Sequence, residues 1–356
     1  FYHEILENKM STFFIPHHTF DNANTSFHQA AKCKRYSEEV LAFSMSKEDN
    51  LLRACDEVEN LTYHQGEYTV FKVWEPKERL IMALPFYDRV VQHMIVNAIG
   101  PVFEQGFYYH SYACRDGKGM HAASNQLYQW MYELMEREGL RLYAYKGDIH
   151  KYFASIPHDK LKDENRRYIG DKKALILMDE IIDKNGILPD GVGIPVGNLT
   201  SQLFANVYGN RLDKFVKHVL HIPYYIRYMD DFVILTPNLN QLKKWVKRIE
   251  EFLEKEMALQ INPKSTILYA GNGIDFCGYI HHPNYRKVRK ASVRRLKNDV
   301  KHLEAGELDK ETFTRKYESR LGHMSHADTY HVTKSIEYEL LFWEWEQTQN
   351  GIMLPT

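Results

Sequence analysis

Three scarcities narrow what this chain can be. Cysteine is rare: Cys33, Cys55, Cys114 and Cys277 are scattered through 356 residues with no C-x-x-C pair. That spacing supports neither a zinc site nor a disulfide framework, and it fits a reducing cytoplasm. Long apolar runs are missing as well, and a membrane-spanning helix needs roughly 18 or more such residues, so no membrane partner is expected. Net charge is almost nil, since 46 Lys and Arg face 47 Asp and Glu. The chain thus lacks the overall basic surplus of many nucleic-acid-binding proteins. Residues 1–14 mix polar and apolar types, with Glu4, Glu7 and Lys9, and do not read as a signal peptide. The first residue is not Met, which suggests a trimmed chain. Internal repeats and low-complexity segments are absent too.

What is present is a 44% hydrophobic content, enough to bury a large core and divide into two or three subdomains. Charge is concentrated locally: residues 286–301 hold eight Lys or Arg and one acid, Asp299. Such a stripe can grip phosphates even on a neutral chain, or it can be an ordinary solvated helix face.

The most informative segment is Tyr228-Met229-Asp230-Asp231, set between the apolar runs at 224–226 and 232–235. It reads as a β-hairpin with paired carboxylates at its turn. Adjacent acids beside a sheet are costly unless a cation neutralises them, and hard oxygen ligands suit Mg²⁺ or Mn²⁺. A third carboxylate, Asp148, follows the strand-like run 140–146. Two strands delivering carboxylates to one point is the geometry of two-metal phosphoryl transfer.

Around these acids the pattern alternates between helix and strand. Residues 1–60 read as helical, with a capping box at Ser46-Lys47-Glu48-Asp49. Residues 68–84 read as strands with a turn at 75–78. Asp88 opens a helix that Gly100-Pro101 should end. A helix over 120–138 precedes the 140–148 strand. The turn 193–198 leads into an amphipathic helix to Leu220, with Asn198 as its cap. After the 224–235 hairpin come a charged helix over 242–256 and short strands near Ile267 and 276–280. Ser292 and Asp309 are expected to cap two further helices, the first burying Val293, Leu296, Val300 and Leu303. The second buries Phe313, Tyr317 and Leu321, and Gly322 stops it.

In chain order the motifs are Glu75-Pro76-Lys77-Glu78-Arg79, Asp88 to His93, Asp148 to Phe153, Gly193 to Gln202, Tyr228 to Asp231, Asn262-Pro263-Lys264-Ser265 and Phe276-Cys277-Gly278-Tyr279. Over residues 60–345 this order and spacing resemble reverse transcriptases of prokaryotic retroelements. Group II intron and retron enzymes usually carry Gln-Gly followed by Ser-Pro, where this chain has Val196-Gly197 and then Ser201-Gln202. That variant, with Ser325-His326-Ala327-Asp328-Thr329, is similar to the enzymes of diversity-generating retroelements. Those copy a template RNA with frequent errors at adenines. Some phage-defence reverse transcriptases share parts of the pattern.

The resemblance implies an α+β fold of the right-hand polymerase type. Residues 1–60 would form an N-terminal helical segment, 61–285 fingers and palm, 286–346 an α-helical thumb and 347–356 a tail. It leaves no room for an RNase H, endonuclease or integrase domain after 346. It also implies that Asp148 and Asp230 bridge two Mg²⁺ ions, about 3.5–4 Å apart in such sites, with Mn²⁺ as a substitute. Asp231 would be a weaker ligand or an anchor, and the Ile149 carbonyl a further one. Lys77 and Arg79 would clamp the triphosphate. Phe153 would exclude a 2′-hydroxyl, and Lys264 would act as general acid near pyrophosphate. Val196, Gly197 and Gln202 would border the nascent base pair. Tyr228, Met229, Gly278 and Tyr279 would meet nucleic acid near the primer end. Arg289, Arg294, Arg295 and Lys297 would grip the duplex.

The partners implied are a template RNA, the RNA/cDNA duplex, dNTPs and a small helical accessory protein. Three other readings stay open: a defence enzyme using a dedicated non-coding RNA, a non-catalytic RNA-binding or splicing factor, and a nucleotide cyclase on a palm-like fold. The intact acids weigh against the splicing factor, and the basic stripe against the cyclase. The pairs His17-His18 and His281-His282, with His323 and His326, lack metal-ligand spacing and read as solvated or nucleic-acid-facing.

Overall fold

The structure is a computed structural model that describes residues 19–74, 78–139 and 141–349. The expectations for residues 1–14, Glu75, Pro76, Lys77, His17 and His18 fall outside them. The chain divides into two compact units. One comprises the residues up to Asp116 with Gly147–Pro223 and Lys244–Ser265, and the other Gly117–Lys146, Tyr224–Lys243 and the residues from Thr266 onward.

The first unit is built on helices. Helices α1 (Phe20–Ala30), α2 (Glu38–Met45) and α3 (Lys47–Glu59) precede the hairpin of β1 (Thr69–Trp74) and β2 (Glu78–Ala83). Helix α4 (Phe86–Gly106) is the spine: Val90, Val91, Met94, Ile95, Ile99 and Phe103 are all buried on it. Phe27 and Phe43 stack at 5.5 Å, and the Phe86 ring meets both edge-on. Each such side chain removed from water contributes about 1.5–3 kcal/mol. Gly100-Pro101 does not end α4. Pro101 gives up the bond to the Asn97 carbonyl, but stopping there would expose Phe103. Asp88 lies inside the first turn, buried, accepting hydrogen bonds from the Tyr63 hydroxyl at 2.7 Å and the Gly66 N–H at 3.0 Å.

The same unit continues through the short α6 (Tyr152–Ser155), α7 (His158–Arg166), α8 (Lys172–Asp183) and α9 (Leu199–Lys214), which runs into a wider turn over Phe215–Val219. Two expected caps are not made. Ser46 ends α2 and starts α3 at once, and its backbone is not extended, so its side chain caps neither helix. Asn198 occupies the cap position of α9, but its Nδ2 donates instead to the Tyr68 hydroxyl at 3.1 Å.

The second unit opens with α5 (Met120–Glu138) and carries a four-stranded sheet of order β4-β5-β3-β6. Its strands are β3 (Tyr143–Asp148, whose last two residues belong to the first unit), β4 (Tyr224–Tyr228), β5 (Asp231–Thr236) and β6 (Thr266–Tyr269). Phe232, Val233, Ile234 and Leu235 are all buried, as an interior strand requires. Helix α10 (Leu239–Met257) follows β5 and crosses from one unit into the other. Beyond β6 lie the three strands β7 (Ile274–Phe276), β8 (Tyr279–His281) and β9 (Arg286–Val288), antiparallel in that order.

Helices α11 (Lys290–Glu304), α12 (Lys310–Met324) and α13 (Tyr330–Gln349) close the chain around Leu296, Val300, Leu303, Phe313, Met324 and Ile336. Asp309 caps α12, its carboxylate accepting from the Thr312 N–H at 2.8 Å. Ser292 instead falls inside α11, which begins after Arg289, and Gly322 lies within α12, which stops at Ser325. Among the described residues no helix is long and apolar enough to cross a membrane.

His281 on β8 is wholly buried. Its Nδ1–H donates to the Ile274 carbonyl at 3.1 Å, which leaves Nε2 to accept from the Ser124 hydroxyl at 2.8 Å. Burial above all, with the nearby Arg286 charge, pushes its pKa down to about 4. The unfolded chain therefore takes up this proton first. Stability is complete above about pH 6.5 and is lost as pH falls toward 4, by on the order of 2–3 kcal/mol. Denaturant unfolding at several pH values should show this decline, and His281→Gln should lack that part of the slope. An unchanged slope would assign the acid sensitivity to other groups.

Candidate functional site

In the first unit, Asp148 ends β3 and is fastened by the turn at Asn262 to Ser265. The Asn262 N–H donates to the Asp148 carbonyl at 2.8 Å, and Asn262 Nδ2 donates to Asp148 Oδ1 at 3.2 Å. The Ser265 hydroxyl accepts the Asp148 N–H at 3.0 Å. Asn262 Oδ1 accepts from the Lys264 N–H at 3.1 Å, which leaves the Lys264 side chain exposed. The buried Ile149 pairs with Ile261 in an antiparallel bridge. Asp148 is thus half-buried and held by neutral donors, and its Oδ2 accepts no hydrogen bond from any described residue. Sequence reasoning singled out Lys264 in this turn and passed over Asn262 and Ser265, the two residues that hold the acid.

Beyond Asp148 the chain turns through Lys151, which has φ +45°, into α6. Tyr152 is buried, and its hydroxyl donates to the Ala205 carbonyl at 2.6 Å. Phe153 is only half-buried, so it is not a core phenylalanine, and its carbonyl accepts from the Ile194 N–H at 2.8 Å. That bond joins the Asp148 segment to the 193–198 turn. The Val196 carbonyl in turn accepts from the Met82 N–H at 3.1 Å, tying the turn to β2. Gln202 lies half-buried in the first turn of α9. Arg79, on β2, is exposed.

In the second unit, Tyr228 pairs with Asp231, so Met229 and Asp230 form a two-residue turn between β4 and β5. Met229 has φ +57°, a left-handed conformation that costs a non-glycine residue roughly 1–2 kcal/mol. Its side chain is buried, and its carbonyl accepts from Nη1 of Arg227 at 3.0 Å. Arg227 is wholly buried within β4. A charged side chain in a strand of otherwise buried residues was the signal that sequence reasoning missed. Asp230 and Asp231 are half-buried at the turn.

The turn at Cys277-Gly278 belongs to the same unit and carries two positive φ angles, +49° and +86°. Burial pushes the Cys277 thiol well up, and the Asp231 charge adds to the shift while Arg289 and Lys146 oppose it. The thiol therefore senses the acidic turn. Tyr279 departs from its expected role. Its side chain is fully buried in the core of the C-terminal helices, so its ring cannot meet nucleic acid. The basic stripe also divides: Arg289 is engaged by Asp275 at 2.7 Å, whereas Arg294, Arg295 and Lys297 are exposed on α11.

Among the described residues, no group of three or more His, Cys, Asp or Glu is arranged to hold a metal alone. Mg²⁺ commonly takes one or two carboxylates and fills its other positions with water and substrate phosphates, so hard oxygens such as Asp148 Oδ2 fit it.

The profile of the reverse transcriptase (RNA-dependent DNA polymerase) family matches residues 72–281, more than half of the chain, and the chain belongs to that family. Its α+β architecture is that of the family's right-hand polymerase fold. Among relatives, Protein YkfC of Escherichia coli is 26% identical over 251 residues, which cover 58% of this chain and 62% of that protein. A 91 kDa protein encoded in the cob intron of Schizosaccharomyces pombe is 28% identical over 137 residues, covering 37% of this chain and 16% of that protein. Among solved structures, apo telomerase from Candida tropicalis, truncated from its C-terminal domain, matches with a TM-score of 0.47 and 15% identity over 64% of this chain and 55% of that one. The chain spans less than two thirds of the length of each.

Gly197 supplies a local test. Its φ is +121°, and a Cβ there would lie 3.2 Å from Ile81 Cγ2 and 3.4 Å from the Met82 carbonyl oxygen. Gly191 also has positive φ, +73°, but a Cβ there meets nothing within 4 Å. Gly197→Ala should therefore lose about 1–3 kcal/mol in denaturant unfolding and Gly191→Ala about 1 kcal/mol. Equal losses would mean that the 193–198 turn does not need its bond to β2.

Proposed function

We propose that this chain is an RNA-directed DNA polymerase that makes cDNA from a template RNA. The observation that supports this best is the hairpin of β4 and β5, whose two-residue turn at Met229 and Asp230 sets two adjacent carboxylates, Asp230 and Asp231, at the end of buried strands. In this reading residues 61–285 are fingers and palm, and 286–346 are the thumb. Asp148, Asp230 and the Ile149 carbonyl would hold the divalent ions, with Asp231 as a weaker ligand or anchor. When bound, these ions stabilise charge on the attacking and leaving oxygens of phosphoryl transfer.

The protein's own residues supply position. Asn262 and Ser265 hold Asp148, and Arg227 holds the turn that presents Asp230. Arg79 and Lys77 bind the triphosphate, Lys264 donates a proton toward the leaving pyrophosphate, and Phe153 lies against the sugar. Arg294, Arg295 and Lys297 contact the duplex backbone. Template RNA, the RNA/cDNA duplex, dNTPs and a small helical accessory protein are the partners of this reading.

Asp148→Asn and Asp230→Asn should each reduce RNA-templated dNTP incorporation by several orders of magnitude while leaving RNA binding intact. Charge stabilisation by such ions is worth several kcal/mol, and about 1.4 kcal/mol is tenfold in rate. The measurement is primer extension in Mg²⁺ on a defined template. Near-wild-type extension by either variant would remove the two-metal assignment.

Within this class, we infer a diversity-generating role with errors at template adenines. The feature that supports it is the half-buried, apolar Val196 beside Gly197, where relatives with Gln carry an amide. Val196→Gln should lower misincorporation opposite adenine, because a polar partner worth about 1.4 kcal/mol of discrimination is tenfold in error ratio. Sequencing cDNA made by both enzymes from one RNA measures it. Faithful copying of adenines by the wild type, with its RNA and accessory partner present, would favour the defence-type reading instead.

A further inference from the structure

The second unit contains a group of imidazoles that the polymerase site does not use. His121 is the second residue of α5, His323 lies in the last turn of α12, and His326 follows that helix. The His121 and His326 rings stack with centroids 3.9 Å apart at 19°, and His323 lies 5.9 Å from His121. All three are half-buried.

The buried Tyr279 organises them. Its hydroxyl donates to the His323 carbonyl at 2.8 Å and lies 3.0 Å from His121 Nδ1 and 3.1 Å from His323 Nδ1. With the phenolic proton committed, both Nδ1 atoms must donate to that oxygen. The Nε2 atoms of His121 and His323 therefore carry the free lone pairs, and no described residue bonds to either. Gly278 leaves the edge of His323 uncovered: a Cβ there would lie 3.1 Å from His323 Cε1 and 3.5 Å from its Nε2.

The surrounding charges favour an anion. Arg286, from β9, lies with its guanidinium 5.1 Å from the Tyr279 ring and 5.7 Å from the Tyr128 ring. Arg289 stands at the start of α11. The two nearby carboxylates are occupied, Asp275 by Arg289 and Asp328 by the Arg286 N–H at 2.9 Å. Among the described residues no carboxylate bonds to any of the three imidazoles. No metal-holding group occurs among the described residues.

We propose that His121, His323 and His326 form a proton-dependent contact for a backbone phosphate of the bound nucleic-acid strand. The proposal rests on the reading of the chain as a nucleic-acid polymerase. Tyr279, expected to touch nucleic acid itself, instead orients the groups that do. Burial first, then the neighbouring imidazoles and arginines, hold His121 and His323 below the usual histidine range. Without ligand they are neutral near pH 7, and a neutral Nε2 accepts but cannot donate. A phosphate brings the negative charge that makes protonation favourable, and the resulting N–H donates to its oxygen. Binding takes up protons, so affinity rises as pH falls.

The test is binding of an RNA/DNA duplex by fluorescence anisotropy at constant ionic strength between about pH 8 and about pH 6. Wild-type protein should tighten by roughly three- to tenfold per pH unit, one proton taken up giving at most tenfold. His121→Gln and His323→Gln should each flatten that slope, and the double variant should abolish it. Duplexes carrying single methylphosphonates should lose the slope when the contacted phosphate is the one neutralised. A measurement on unsubstituted protein guards against misfolded variants: ¹⁵N spectra of the imidazoles should show their titration shifting upward when duplex is added. Tight binding with no pH slope, a slope that survives every methylphosphonate, or unshifted imidazoles would each overturn the contact and leave the polymerase reading standing. Failure to bind any duplex would overturn both.

Discussion

Hydrogen bonds to the main chain fix the acidic positions of the candidate site, and the rest of the site depends on that. Asp148 receives two N–H donors from Asn262 and gives its own N–H to Ser265, so its position is fixed while no ion pair with a described residue neutralises it. A neighbouring lysine would hold the carboxylate equally well but would compete with any incoming cation for the same charge. At the hairpin, the Arg227 guanidinium bonds to the Met229 carbonyl and supports a turn whose left-handed residue costs energy. Strain of this kind persists only where surrounding structure over-determines it, and a wholly buried arginine provides that.

The links that run outward from Asp148 are likewise main-chain bonds. The Phe153 carbonyl takes the Ile194 N–H, and the Val196 carbonyl takes the Met82 N–H. Acid, aromatic wall, glycine turn and β2 are thereby joined in one unit through groups that every residue type possesses. Side chains along this path can vary in chemistry while the frame stays fixed. The helical C-terminus works differently. Its core is mostly apolar and takes in the Tyr279 ring, whose hydroxyl meets His323, while Asp309 caps α12.

Much of the architecture was legible as pattern. The helix over Met120–Glu138, the hairpin around Tyr228 and Asp231 and the capping by Asp309 follow from periodicity, turn spacing and cap chemistry. The failures share a cause. Ser46, Asn198 and Ser292 have suitable side chains, yet none caps, because a preceding helix, a distant tyrosine and an earlier helix start each changed the local geometry. Pro101 and Gly322 did not terminate their helices. For Pro101, burial of Phe103 outweighs one lost hydrogen bond.

By itself the sequence determined which residues carry chemistry and the order in which they arrive, because carboxylates, glycines and basic side chains declare themselves through type and spacing. It also determined family membership, since several short motifs in order are specific where one is not. Tertiary structure decided which side chains face solvent and which serve as supports. Tyr279 and Arg289 look like ligand-facing residues in sequence, but one is buried and the other is engaged by Asp275. Asn262, Ser265 and Arg227 look incidental, yet they hold the acids. Asn262 and Ser265 act on Asp148 from up to 117 residues away, and a hydrogen bond between positions so far apart leaves no local trace in either segment.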